Sequence, residues 1–261
     1  MLVWLLSDIH LEMSVWDLPQ KRPQFDVLVV AGDLITRAER GVVWLRERFP
    51  EHDVVYVAGN HERYGTDFDA TIELARAEAA GTRIHVLENE AVTIGDVEFV
   101  GCTLWTDFAL FGDDTVTDAM RAAEARMNDY GKIRADQYSR KLRSTDTLAA
   151  HRRSVAFLRN HCARDPRRRR IIATHHSVDP SALPRAFRHD LAASAYCSNG
   201  LELVEELGAD CWVSGHIHER HERVVGRTRL ISNPKGYGPF TCATPSAWQN
   251  RAFDPYFTFE I

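Results

Sequence analysis

No uninterrupted apolar run in this 261-residue chain approaches the roughly 20 residues that a membrane-spanning helix needs. The apolar opening at residues 2–6 stops at Ser7-Asp8. It carries no basic n-region and no small-residue cleavage site, so no signal peptide is expected. Cysteine is scarce: Cys102, Cys162, Cys197, Cys211 and Cys242 are odd in number and contain no C-x-x-C pair. That excludes a thiolate zinc site and makes a reduced, cytoplasmic setting the simplest expectation. Positive charge is in deficit, with 37 acidic against 32 basic residues and a net charge of −5. Phosphate-backbone binding needs a clear basic excess on one face, so no obligatory nucleic-acid partner is expected. A small anion held by a local positive site stays open. Low-complexity tracts and internal repeats are also lacking. With 44% hydrophobic residues the chain is not disordered, and it is long enough for a large core without disulfide staples.

What is present is a recurrent pairing of a short apolar run with a polar cluster. Residues 2–6 run into Ser7-Asp8-Ile9-His10, and 27–31 into Gly32-Asp33. Residues 54–58 run into Gly59-Asn60-His61-Glu62, 171–173 into Thr174-His175-His176, and 211–213 into Ser214-Gly215-His216-Ile217-His218. Runs rich in Val and Ile, without alternation, are the pattern of strands buried on both faces. Helical periodicity lies between them at 40–49, 67–80, 115–130, 146–163 and 199–207. Alternating strands and helices predict an α/β sandwich with largely parallel pairing. Residues 91–94 and 97–103 around Gly95-Asp96 predict a hairpin. Further strands are expected at 223–225, 229–232 and 256–261. No domain boundary is evident. Residues 105–145, polar and helical, are the expected insertion within a single domain.

The clusters are chemically alike. The carboxyl ends of strands in α/β folds are where loops converge on a ligand. Asp8 and His10 are two apart, so in extended chain they face the same side, and His216 and His218 repeat that spacing. Asp33, Asn60 and His175 add a carboxylate, an amide oxygen and an imidazole. Mixed oxygen and nitrogen ligands suit Mn, Fe, Zn, Co or Ni. Seven ligands are too many for one such ion and suit two, if one carboxylate bridges. A lone strand-end Asp or His is usually a turn residue. Five such clusters together are not explained that way.

Asp8-x-His10, Gly32-Asp33, Gly59-Asn60-His61-Glu62, His175 and Gly215-His216-x-His218 resemble, in order and spacing, the five signature motifs of calcineurin-like metallophosphoesterases. The resemblance spans most of the chain. It implies a four-layer α/β/β/α sandwich and hydrolysis of a phosphate ester by a hydroxide bridging two metal ions, with manganese, iron or zinc expected. Asp8, His10 and His218 would hold one ion, Asn60, His175 and His216 the other, and Asp33 would bridge. His61 would face the substrate as proton donor or phosphate ligand, with Asn60 also touching it. His176 falls one place beyond the ligand position. Related protein phosphatases carry a carboxylate three residues after the bridging Asp to orient the catalytic His. Here that position is Thr36, which leaves Asp8, Glu62 or nothing for the task.

The expected partner is a small phosphorylated substrate, nucleotides among the candidates, with phosphodiesters placed ahead of phosphomonoesters. Oligomeric state leaves no trace. The rival is a non-catalytic metal-binding scaffold of the same fold; such family members have eroded motifs, and none of the seven ligand positions is lost here. Arg63, next to the His61 cluster, is expected at the pocket rim, where a guanidinium would pair with phosphate. The segment Met127-Asn128-Asp129-Tyr130 reads as a helix end capped by Gly131 and as part of a substrate-selecting cap. The loop Asn233-Pro234-Lys235-Gly236-Tyr237-Gly238 either approaches the metals or is explained by turn chemistry alone. His52, His85, His151, His161 and His189 lack partners at ligand spacing, and His221 is expected at the surface. Trp4, Trp44 and Trp212 are expected in the core. The run Arg167–Arg170 is expected as a solvated loop.

Overall fold

The computed structural model describes residues 1–240 and 244–261; Cys242 lies outside them. In the first half, β1 (Leu2–Leu6), β2 (Val27–Ala31), α1 (Ala38–Arg48), β3 (Asp53–Val57), α2 (Ala70–Ala79) and β4 (Ile84–Val86) alternate. The hairpin β5 (Glu90–Ile94) and β6 (Val97–Cys102) follows. The segment after it holds α3 (Val116–Arg126), α4 (Asp129–Lys132) and the ribbon β7 (Arg134–Ala135) and β8 (Arg140–Lys141). Then come α5 (Ser144–Cys162), β9 (Arg170–Thr174), α6 (Leu201–Leu207), β10 (Cys211–Ser214), β11 (His221–Val225), β12 (Thr228–Ser232) and β13 (Thr258–Glu260).

The strands form two main sheets, ordered β13-β1-β2-β3-β4 and β11-β12-β10-β9-β6-β5. In the first, β1 to β4 are parallel, and β13 pairs antiparallel with β1, Leu2 opposite Glu260. In the second, β12, β10, β9 and β6 are parallel, flanked by antiparallel edges. The two-residue period of a strand divides each apolar run between two cores. Val3, Leu5, Val27, Val29, Val55 and Val57 meet Phe99, Ile171, Ala173, Val213 and Ile231 between the sheets. Trp4, Leu6, Leu28, Val30 and Tyr56 point outward and pack against Val42, Leu45 and Ala75 of α1 and α2. On the far face Val100, Ile172 and Trp212 pack against Leu158 of α5 and Val204 of α6. Each fully buried Val or Leu contributes about 2 kcal/mol relative to exposure. Runs without polar alternation therefore drive four layers, as expected: helices, sheet, sheet, helices.

Three local expectations fail. The helix at 115–130 breaks at Met127, which is extended (φ −85°, ψ 133°). Gly131 lies inside α4, not at a cap. The basic run is not all solvated: Arg170 opens β9, is buried, and its Nε donates to Glu98 Oε2 at 2.7 Å. An arginine is tolerated there because a carboxylate meets it. Trp4 and Trp212 are buried, and Trp44 is half-buried, with the Arg48 guanidinium 4.3 Å from its ring centroid. His221 is not free at the surface. Its Nε2 donates to buried Asp179 at 2.9 Å.

Asp179 also accepts from Ser181 N at 2.9 Å and Arg223 Nη1 at 3.2 Å. Burial opposes its charge, but His221 and Ser181 outweigh burial and hold the carboxyl well below the usual range. A carboxyl with a lowered folded pKa stabilises fully above its unfolded value of about 3.9, and that contribution fades as pH falls further. Asp179→Asn is therefore expected to cost about 2 kcal/mol at pH 7 and to flatten the acid limb of stability between about pH 5 and 2. Urea unfolding across that range measures it. Parallel curves for both proteins would show that the charge on Asp179 does not matter.

Candidate metal centre

The loops leaving β1, β2, β3, β9 and β10 bring all seven predicted ligands together. Asp8, His10, Asp33, Asn60, His175 and His216 are buried, and His218 is nearly so. Asp8, His10 and His218 offer ligand atoms within one cluster, and Asp33, His175 and His216 within another. His218 Nε2 is 3.3 Å from Asp8 Oδ1 and 3.2 Å from His10 Nε2. His175 Nε2 is 3.1 Å from Asn60 Oδ1 and 3.4 Å from Asp33 Oδ1. The second Asp33 oxygen, Oδ2, lies 3.6 Å from His10 Nε2. One carboxylate thus presents one oxygen to each cluster.

How the pairs converge differs from the expected extended chain. Asp8 (φ 53°), His10 (φ 50°), Asp33 (φ 54°) and His216 (φ 66°) are left-handed. For an L-residue that conformation costs roughly 1–2 kcal/mol each, and here tertiary hydrogen bonds hold it. Asp8 N donates to Gly32 O and His10 N to Asp33 O at 3.0 and 2.9 Å. The turn also separates His216 from His218, so the two serve different clusters. Gly59 leaves the room: a Cβ there would stand 2.1 Å from Asp33 Oδ1 and 2.7 Å from His175 Nε2.

The outer contacts fix which nitrogens face inward. His10 Nδ1 is 3.2 Å from Glu12 Oε1, and His218 Nδ1 is 2.6 Å from Gln249 Oε1. With those nitrogens donating outward, both Nε2 lone pairs meet at 3.2 Å with no proton between them. His175 Nδ1 donates to Ala31 O at 2.9 Å. Its Nε2 faces two further acceptors. Burial opposes charge there, but Asp33 and Asp8 raise the imidazole to about 10. His216 Nε2 is buried without a partner, and burial holds the ring neutral. Inward lone pairs, an orphaned imidazole nitrogen and two carboxylates fit transition-metal ions.

His61 stands beside both clusters. Its Nε2 lies 3.9 Å from Asp33 Oδ2 and its amide donates to Asp33 Oδ1 at 2.9 Å. Its Nδ1 is 2.7 Å from Glu12 Oε1. Burial resists charge on the ring, but Asp33 and Glu12 prevail and raise its pKa to about 9. Neither Asp8 nor Glu62 orients it. Asp8 accepts from His216 N. Glu62 accepts from Asp33 N, Leu34 N, Gly59 N and Tyr56 Oη, at 3.0, 2.7, 2.8 and 2.8 Å. The orienting carboxylate is Glu12, which the sequence reading passed over. Its signal was present: Asp8, His10 and Glu12 share one spacing.

Three further residues, named in the sequence only as parts of a cap segment and a turn-rich loop, take specific places. Asp129, in the 105–145 segment, accepts from Asn60 Nδ2 at 2.8 Å and from Tyr64 Oη at 2.7 Å, turning the Asn60 oxygen toward His175. Tyr237 Oη is 3.3 Å from His61 Nε2, and its ring stands 4.6 Å from His10 and 4.8 Å from His218. Lys235 is buried, its Nζ donating to Ser14 Oγ and Gly236 O at 2.7 Å each. The turn-rich loop therefore builds the site. Arg63 corrects in the other direction. Its guanidinium is buried among Phe68 O, Glu88 and Thr103 Oγ1, at 2.9, 3.0 and 3.0 Å. It does not line the pocket, because Glu88 and Thr103 take its guanidinium. His176 is buried and packs on the His216 ring, with Nδ1 facing Thr103 O.

Above the ligands lies a cavity of about 340 Å³ lined by Asn60, His61 and Tyr237, and by Arg126, Met127 and Asn128 of the 105–145 segment.

Comparison with known proteins agrees with this geometry. A family model described as calcineurin-like phosphoesterase matches residues 1–220. An uncharacterized protein, L509, of Acanthamoeba polyphaga mimivirus is 22% identical, with 98% of this chain and 95% of that protein aligned. Among solved structures, the phosphopantetheinyl hydrolase PptH of Mycobacterium tuberculosis superposes with a TM-score of 0.70 at 18% identity. The match covers 90% of this chain and 89% of that one.

Proposed function

Because the chain belongs to the calcineurin-like phosphoesterase family, and so to the metal-dependent phosphoric ester hydrolases, we propose that it cleaves its ester at a dinuclear centre. The observation that carries this is Asp33, whose two oxygens address two separate ligand clusters. Asp8, His10 and His218 would hold one ion and Asn60, His175 and His216 the other. Manganese, iron and zinc suit these donors. When bound, two such ions clamp a phosphoryl group and supply an activated water.

The chain's own residues do the rest. Glu12 fixes Nδ1 of His61, so the Nε2 proton is aimed into the pocket. There His61 protonates the departing alkoxide, while Tyr237 donates to a phosphate oxygen; the expected substrate contact of Asn60 gives way, because its amide donates to Asp129 and Tyr64. Asp129 keeps Asn60 in register, which makes the 105–145 segment part of the site as well as its cap. General-acid catalysis of this kind is worth roughly 10²–10⁴-fold. His61→Ala is expected to keep both metals and to slow esters with poor leaving groups most, read by metal content and by turnover of aryl esters of graded leaving-group pKa. Equal losses across the series would assign His61 to phosphate positioning.

The substrate is a small phosphorylated molecule, with diesters ahead of monoesters. Among the described pocket residues the one Lys or Arg side chain, Arg126, is paired with Asp190 at 2.6 Å. Among the described pocket residues no unpaired Lys or Arg awaits a terminal dianion. Hydrolysis of bis(p-nitrophenyl) phosphate beside p-nitrophenyl phosphate, by manganese-loaded protein, tests this, and faster monoester turnover would reverse the order. Phosphopantetheinyl esters and nucleotide diesters belong in the next screen. The four described cysteines are free and buried, which supports a reducing, cytoplasmic setting. No helix among the described residues is long and apolar enough to cross a membrane.

A further inference from the structure

The pocket is unlike at its two ends. Tyr237 covers His10 and His218, and beside it His61 and Asn60 supply polar atoms. At the other end the Tyr196 ring stacks on His216 with centroids 5.1 Å apart, and Phe187 lies 6.4 Å from Tyr196. Leu183, Pro184 and Met127 continue that lining. Phe187 is 44% exposed although it faces a cavity. An unburied aromatic face beside a polar reaction centre is where a ligand's apolar part gains most. Charge narrows the ligand further. Glu219 adds a carboxylate to the lining and Arg126 is already paired, so a second phosphate would enter uncompensated.

We infer that the group esterified to the reacting phosphate is a neutral aromatic ring system, packed against Phe187 and Tyr196, and that this wall selects the substrate. The inference rests on the phosphoesterase reading and names its substrate class.

Calorimetric titration of manganese-loaded protein with phenylphosphonate and methylphosphonate tests it without turnover. Phenylphosphonate is expected to bind about tenfold tighter or more, the gain for covering one ring face. In Phe187→Ala, whose exposed position on a short turn spares the core, that advantage is expected to fall to about threefold or less. Equal affinities in the parent protein, or an advantage unchanged in the variant, would overturn the assignment. Turnover of bis(p-nitrophenyl) phosphate by the same preparation reads the hydrolase separately. Ring-dependent binding without turnover would keep the wall and remove the hydrolase. Turnover without ring-dependent binding would do the reverse.

Discussion

Asp33→Ala is expected to abolish phosphoester hydrolysis and to leave at most one bound transition-metal ion in place of two. The carboxylate serves both clusters, one oxygen facing His10 and the other His175. Burial opposes its charge, yet His175 and His61 hold the carboxyl well below the usual range, so it is an anion at any working pH. Alanine removes a ligand from each ion and the acceptor of the His61 amide at one stroke. Loss of one preorganised electrostatic contact in an active site costs about 10²–10³-fold. Loss of a shared ligand should exceed that, so turnover should drop by roughly a thousandfold or more. Metal content by mass spectrometry and turnover on one preparation measure both effects. Two retained ions with unchanged turnover would remove Asp33 from the bridge.

The second large effect concerns stability. Glu62→Gln is expected to destabilise the protein by about 3 kcal/mol, although Glu62 touches neither a predicted ligand atom nor the pocket. Its carboxylate accepts three backbone amides and the Tyr56 hydroxyl, four donors on two oxygens. Burial and the nearby Asp33 charge push its carboxyl up to about 7, against the pull of those donors. Glutamine offers one acceptor oxygen, and its amide group turns a donor toward two donors. Buried donors left unmet cost about 1–3 kcal/mol each. For a chain of this size the melting temperature should fall by about 6–12 °C. Because the lost bonds hold Asp33 and Gly59, metal affinity should fall with it. A melting temperature within 2 °C of the parent, on the scale of about 2–4 °C per kcal/mol, would show that the network is not needed.

The layered fold and the meeting of the seven candidate residues were legible because both are written locally. Unbroken Val and Ile runs mark doubly buried strands, and the polar cluster after each run marks its carboxyl end. Residues that act on the ligands from elsewhere in the chain were not legible. Asp129 reaches Asn60 from 69 positions away, and Tyr237 reaches His61 across 176. No periodicity encodes such a meeting. Glu12 was within reach, being the third member of an alternating Asp8-His10-Glu12 series, but the motifs point to Asp8 and Glu62 once position 36 proves to be a threonine. Arg63 misled because nearness in sequence to His61 says nothing about Glu88, which takes its guanidinium. The left-handed turns at Asp8 and His216 were hidden too, since neither residue type demands that backbone.

The pairing of β13 with β1 has a consequence for vectorial synthesis. The ribosome delivers β1 early and β13 last of the strands, with the whole second sheet made between them. The first sheet therefore waits with an open edge beside β1 while its partner sheet is being completed. His175, His216 and His218 also emerge after Asp8, His10, Asp33 and Asn60. A nascent chain stalled before β9 would carry two carboxylates, one histidine and one amide from the ligand set, and none of the donors from the second sheet. Selective metal capture thus belongs to a chain made at least through His218, and shorter translation intermediates should be the species most in need of chaperones.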